Sequence, residues 1–144
     1  MMNNRTFYNE VLIEHNLHPS HKHALECATC SKDGQNPTCG DEITLNLRVE
    51  NGKIADGSFT GNGCAISQAS ADMMLDLVIG KTEEEARKYI DLFLKMIRGE
   101  ATEEEIEELE DAGALKDVSH MPTRAKCATL AWHTLLNIVG EKGA

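Results

Sequence analysis

Ile43, Leu45, Leu47 and Val49 alternate with Thr44, Asn46 and Arg48, the two-residue period of a strand with one buried face. Asn51-Gly52 follows at once. Both residues tolerate positive φ, so the pair predicts a tight hairpin. Lys53 to Thr60 then returns as a second strand, with an alternation that Gly57 interrupts. After Thr60 the apolar spacing becomes that of helices. A small antiparallel sheet must bury one face, and helices are what remains to cover it. The chain is therefore expected to be α+β, with about three strands and five or so helices.

The helices announce their ends. Gly61-Asn62-Gly63 must bend sharply and delivers Cys64. From Ala65 or Ile66 to Ile79 the spacing is helical, with Ile66, Ala69, Met73 and Leu77 on one side and Gly80 as the stop. Asp72 is assigned to the surface of that helix. Thr82 with Glu85 predicts a capping box, in which each side chain bonds the other's free backbone N–H. The helix it opens repeats Ala86, Tyr89, Ile90, Phe93, Leu94 and Ile97 at amphipathic spacing. Thr102 with Glu105 repeats the box for a shorter, acidic helix to about Asp111. Pro122 suits a first helical turn, and a last helix to about Val139 should bury Ala125, Ala128, Trp132, Leu135 and Val139. Upstream, Thr6 to Glu14 reads as a short helix with Phe7, Val11 and Leu12 on its apolar side. His15, His18, His21 and His23 then fall around Pro19 at spacings that fit no single helix face. They are expected in an exposed loop that binds nothing. Leu25 to Gln35 is turn-rich and contains Cys27-Ala28-Thr29-Cys30.

At 144 residues the chain can build a core without staples, and 1–144 is read as one domain. A net charge of −10 excludes nucleic acid and anionic membranes as partners, since their binders carry basic patches. Lys81 to Asp117 holds 13 acidic and 6 basic residues and is read as a solvated face. No apolar run approaches the ~18 residues of a membrane span, and the N-terminus is too polar for a signal peptide. A cytoplasmic protein is expected. Its five cysteines, an odd number, then serve metals or chemistry more readily than disulfides.

The chemistry gathers at those cysteines. Cys39 and Asp41 lie two residues apart in Asn36-Pro37-Thr38-Cys39-Gly40-Asp41, where Pro37 fixes its φ and Gly40 permits angles closed to other residues. Cys64 and Cys127 each fall at a predicted helix start, the end that favours negative charge. Cys39, Asp41, Cys64 and Cys127 would give three sulfurs and one oxygen, a four-coordinate set for Zn²⁺ or for iron–sulfur chemistry. Structural zinc sites are typically closed by Cys and His alone, so the oxygen suggests a position that can be exchanged. A cysteine at a helix start is also a common small core residue, and spacing alone leaves both readings open.

Three ordered motifs add to this. Asn36-Pro-Thr-Cys-Gly-Asp41, Gly61-Asn-Gly-Cys-Ala-Ile-Ser67 with Ala69-Ser-Ala71, and Pro122-Thr-Arg-Ala-Lys-Cys127 resemble the iron–sulfur scaffold superfamily of IscU and the N-terminal part of NifU. Within it the chain is most similar to the SufU branch. That branch inserts a segment between the second and third motifs, matching 81–117 here. It also has Lys before the last cysteine, as Lys126, where the IscU branch has a histidine ligand. The resemblance implies zinc held by Cys39, Asp41, Cys64 and Cys127, and persulfide sulfur accepted on Cys39 from a SufS-type, pyridoxal-phosphate cysteine desulfurase. In the implied mechanism a desulfurase histidine replaces Cys39 on the zinc. Freed Cys39 then attacks the persulfide and passes sulfur to a downstream assembly protein. Arg124, three residues before Cys127, is a candidate to bond the ligands or simply a surface cation.

Two alternatives stand beside the carrier. The same ligands could build and transfer a [2Fe–2S] cluster, or the zinc could be purely structural in a domain that binds partners through its acidic helices. Cys27 and Cys30 lie outside the family pattern. They are compatible with a redox pair, a resolving dithiol for a Cys39 persulfide, alternative metal ligands, or two reduced loop thiols without a role.

Overall fold

The computed structural model describes residues 4–36 and 40–143. The expected hairpin is the centre of the sheet. Strand β1 (Cys30–Asn36), β2 (Asp41–Glu50) and β3 (Lys53–Asn62) run antiparallel in the order β1-β2-β3. Asn51 and Gly52 turn β2 into β3 with φ of 55° and 77°, as two such residues in a tight hairpin require. The inner face carries Ile43, Leu45 and Leu47, all fully buried. Leu47 pairs with Gly57, and a Cβ at Gly57 would lie 2.8 Å from Leu75 and 3.0 Å from Leu47. The broken alternation of β3 is thus a packing requirement: a helix crosses there.

That helix, α2 (Ala65–Val78), is the centre of the molecule. Eleven of its residues are buried, from Ile66 to Val78, so its apolar character extends well beyond one side. Small residues make this possible; Ala69, Ser70 and Ala71 let neighbours approach closely. One neighbour is α5 (Pro122–Gly143), whose Trp132 donates its indole N–H to Ser70 Oγ at 2.9 Å, while Ser70 donates to the Ala128 carbonyl at 2.6 Å. α3 (Glu83–Ile97) packs against α5 through Phe93, whose ring stacks on Trp132 at 4.0 Å between centroids. The acidic segment is therefore solvated on one face and docked by the other. Both capping boxes form, Thr82 with Glu85 on α3 and Thr102 with Glu105 on α4 (Glu103–Glu108).

The structure corrects several expectations. β1 replaces most of the turn-rich stretch; its sequence has no apolar alternation, but its inner positions are packed all the same. Gly34 is buried because a Cβ there would lie 2.1 Å from Thr134 Oγ1 of α5. α4 ends at Glu108, and a 3₁₀ run from Glu110 to His120 takes over, burying Ala112, Leu115 and Val118. α1 (Asn4–Leu17) is longer than expected and carries His15 inward. His15 is buried, with Nδ1 2.7 Å from Asp72 Oδ2 and Nε2 2.8 Å from Asp111 Oδ2. The hydrogen bond to Asp72, seconded by Asp111, pushes its pKa up to about 9 against the opposing effect of burial. Asp72, assigned to a helix surface, is 1% exposed. It could not be tolerated there without these partners. Among the described residues no helix is long and apolar enough to cross a membrane.

Candidate metal centre

The end of the sheet and the ends of two helices meet at one place. Asn36 and Asp41 form the last pair of the β1–β2 ladder, and the Gly40 N–H bonds the Asn36 carbonyl at 2.9 Å. Asp41 is the first residue of β2 rather than part of the turn. It extends the inward register of Ile43, Leu45 and Leu47 by one step, which is why its carboxylate is buried, 3% exposed. Gly61, the second-last residue of β3, has φ 117°, a backbone angle open to glycine; a Cβ would also meet the Glu42 carbonyl at 2.2 Å.

Cys64 caps α2. Its Sγ accepts from the Ser67 N–H at 3.4 Å, and its own N–H donates to Asp41 Oδ1 at 2.9 Å. Asp41 is thereby held by one oxygen while Oδ2 faces the Cys64 thiol at 3.9 Å. Gly63 has no room for a side chain: a Cβ would lie 2.3 Å from Ser67 Oγ and 3.3 Å from Asp41 Oδ1. Cys127 comes from α5, where it is 3% exposed and sits in the second turn, beyond the open N–H groups of the helix start. Asn36 Nδ2 points at its Sγ from 3.9 Å. One ligand atom from each of Asp41, Cys64 and Cys127 lies within 4.8 Å of the other two.

Of the sequence-derived site residues, the structure thus brings three together. Cys39 lies outside the described residues, between Asn36 and Gly40, which flank this cluster. Arg124 is exposed in the first turn of α5. Asn36 and Ser67 touch the thiols and were singled out by nothing in their spacing; only the contact across 91 residues identifies Asn36. Cys27 is exposed, and Cys30 opens β1 at the end opposite Asn36. Six residues of strand separate Cys30 from Asn36, about 20 Å, so in this fold the Cys30 thiol lies away from the cluster.

Two thiols and a buried carboxylate converging from a strand end and two helices, on a three-stranded sheet under helices, define a small α+β protein with a candidate cysteine-based metal site. The chain belongs to the NifU-like N-terminal domain family, whose model matches residues 7–141. It is 40% identical over 131 residues to the iron–sulfur cluster assembly scaffold protein IscU of Thermotoga maritima, covering 91% of each chain. To the zinc-dependent sulfurtransferase SufU of Bacillus subtilis it is 39% identical over 138 residues, 96% of this chain and 89% of that one. The crystal structure of a SufU scaffold protein from Fervidobacterium islandicum superposes with a TM-score of 0.83 at 34% identity, covering 92% of this chain and 96% of that one.

Proposed function

We propose that this chain is a zinc-bound sulfur acceptor in iron–sulfur cluster assembly, taking persulfide sulfur on Cys39 from a SufS-type cysteine desulfurase in the cytoplasm. The observation that carries the reading is the convergence of Asp41, Cys64 and Cys127 donors within 4.8 Å, at the mouth of the turn that contains Cys39. The donor chemistry fits the metal: thiolates with one harder oxygen suit Zn²⁺. Cys39, Asp41, Cys64 and Cys127 would hold it, and the bound ion would keep the thiols deprotonated until Cys39 is released.

The protein's own residues divide the work. Cys64 and Cys127 are anchored on helices, whereas Cys39 belongs to a four-residue connection between β1 and β2. Of the three thiols it is the one we assign to meet the partner. Its thiolate attacks the outer sulfur of the desulfurase persulfide. The S–S bond breaks, its electron pair leaves with the desulfurase thiolate, and Cys39 keeps the transferred sulfur as a persulfide. Asp41, held by the Cys64 N–H through one oxygen, has its second oxygen available as ligand and gate. Arg124 is exposed on the same helix as Cys127 and suits the partner's approach as well as a bond to the ligands. Residues 1–144 act as one domain of this type, with 81–117 as the segment set into it.

A second reading is assembly of a [2Fe–2S] cluster on the same ligands, and the scaffold designation of the Thermotoga relative favours it. Purification without oxygen, metal quantification and desulfurase turnover of free cysteine separate the two. Thiolate-bound zinc, with stimulation lost in Cys39→Ala, supports the carrier. Iron with visible charge-transfer bands and unaltered desulfurase turnover refutes it.

A further inference from the structure

The histidines around Pro19 do not form the idle loop that their spacing suggests. Two of them meet two aspartates of α2. His15 Nδ1 lies 2.7 Å from Asp72 Oδ2, and His21 Nε2 lies 2.7 Å from Asp76 Oδ1. Asp72 and Asp76 are one helical turn apart and so present their carboxylates on the same side of α2. Ligand atoms of His15, Asp72 and Asp76 lie within 4.8 Å of one another, and His21 bonds Asp76 from outside that set. One imidazole nitrogen and two carboxylates converge from two helices.

What distinguishes this group from two ordinary ion pairs is the way its outer atoms are held. His15 Nε2 is bound to Asp111 at 2.8 Å, which fixes the ring and directs Nδ1 into the cluster. A histidine ligand whose other nitrogen donates to a carboxylate is the recurrent arrangement around protein-bound metals, because it sets tautomer and orientation. Asp72 is treated alike: Oδ1 accepts the His21 backbone N–H at 2.9 Å, leaving Oδ2 facing the cluster. One end of the group is buried, with Asp72 1% exposed. The other is open, since the Asp76 side chain is 47% exposed. An ion can enter from that side.

We infer that His15, Asp72 and Asp76 form a second divalent-metal site, with Asp111 and His21 as positioning residues for His15 and Asp76. Its donors are all nitrogen and oxygen, so it takes a first-row dication of the Zn²⁺ or Co²⁺ type and does not depend on thiol chemistry. The proton shared between His15 and Asp72 leaves as the ion enters. The site is separate from the cysteine centre: Asp72 lies eight residues along α2 from Cys64, about 12 Å of helix.

Full-length protein already holding one equivalent of zinc is titrated with Co²⁺ under anaerobic conditions, following bound metal and visible absorption. One further equivalent is expected, with d–d bands but without thiolate charge transfer. Asp76→Asn and His21→Gln change partly exposed side chains and should fold normally, yet weaken this equivalent about tenfold or more. Asp111→Asn should weaken it by about 10- to 100-fold with an unaltered spectrum. Three results each overturn the inference: no second equivalent, a second equivalent with thiolate bands, or one indifferent to both Asp76→Asn and His21→Gln.

Discussion

Ser70 fastens together the two helices that carry Cys64 and Cys127, and replacing it with alanine tests the packing beneath the metal centre. Its hydroxyl accepts the Trp132 indole N–H at 2.9 Å and donates to the carbonyl of Ala128, the residue after Cys127, at 2.6 Å. Ser70, Trp132 and Ala128 are all fully buried, so no water replaces the missing oxygen. Ser70→Ala strands the indole N–H, at about 1–3 kcal/mol, and deletes a hydrogen bond worth about 1 kcal/mol. The total is about 2–4 kcal/mol, or a fall in melting temperature of roughly 5–12 °C for a chain of this size. Urea denaturation followed by far-UV circular dichroism measures it in the metal-free protein. In a Trp132→Phe background there is no N–H to strand, so Ser70→Ala should cost less by about 1–3 kcal/mol. Metal affinity should fall as well, although no ligand has been removed. A Ser70→Ala cost below about 0.5 kcal/mol, or strict additivity with Trp132→Phe, would refute the reasoning.

Gly63→Ala should expel the metal while leaving the fold, because the new methyl meets Ser67 Oγ at 2.3 Å and crowds Asp41 at 3.3 Å; metal content beside an unaltered circular dichroism spectrum checks it. Cys27→Ser/Cys30→Ser should retain the zinc, and loss of the metal would contradict the separation along β1. Glu85 and Glu105 are held below the ordinary carboxylate range, first by the Thr82 and Thr102 backbone N–H groups respectively, with Lys95 also assisting Glu105. A lowered folded pKa gives stability that is present above the unfolded value near 4.5 and is lost as pH falls through the folded value. Glu85→Gln should therefore flatten part of the decline in melting temperature below that pH, and an identical decline in the variant would count against the capping-box account.

What the sequence disclosed was the local chemistry. Asn51-Gly52 and the two Thr/Glu boxes work through neighbours three residues away or fewer, and all three form as their spacing requires. β1 was hidden because Lys32, Gly34 and Asn36 fill its inner positions. Gly34 is set by Thr134, a residue 100 positions later, rather than by any strand preference. His15 and Asp72 were misread for the same reason: they are 57 residues apart, and each looks like a surface residue until the other is beside it. Asp41 could have been placed better, since the alternation of Ile43, Leu45 and Leu47 extends back to it. The site itself was partly legible. Spacing left metal ligand and small core residue equally open for Cys64 and Cys127, and only the three motifs taken together pointed to one centre.

The central claim is that Cys39 is the atom to which sulfur moves. The full-length zinc-bound protein is incubated anaerobically with a cysteine desulfurase and free cysteine, then digested and examined by mass spectrometry. The account predicts one additional sulfur atom on the peptide containing Cys39, and none on that peptide in Cys39→Ser. Additional sulfur on the peptides of Cys27, Cys64 or Cys127 in the wild-type protein, with Cys39 unmodified, contradicts it.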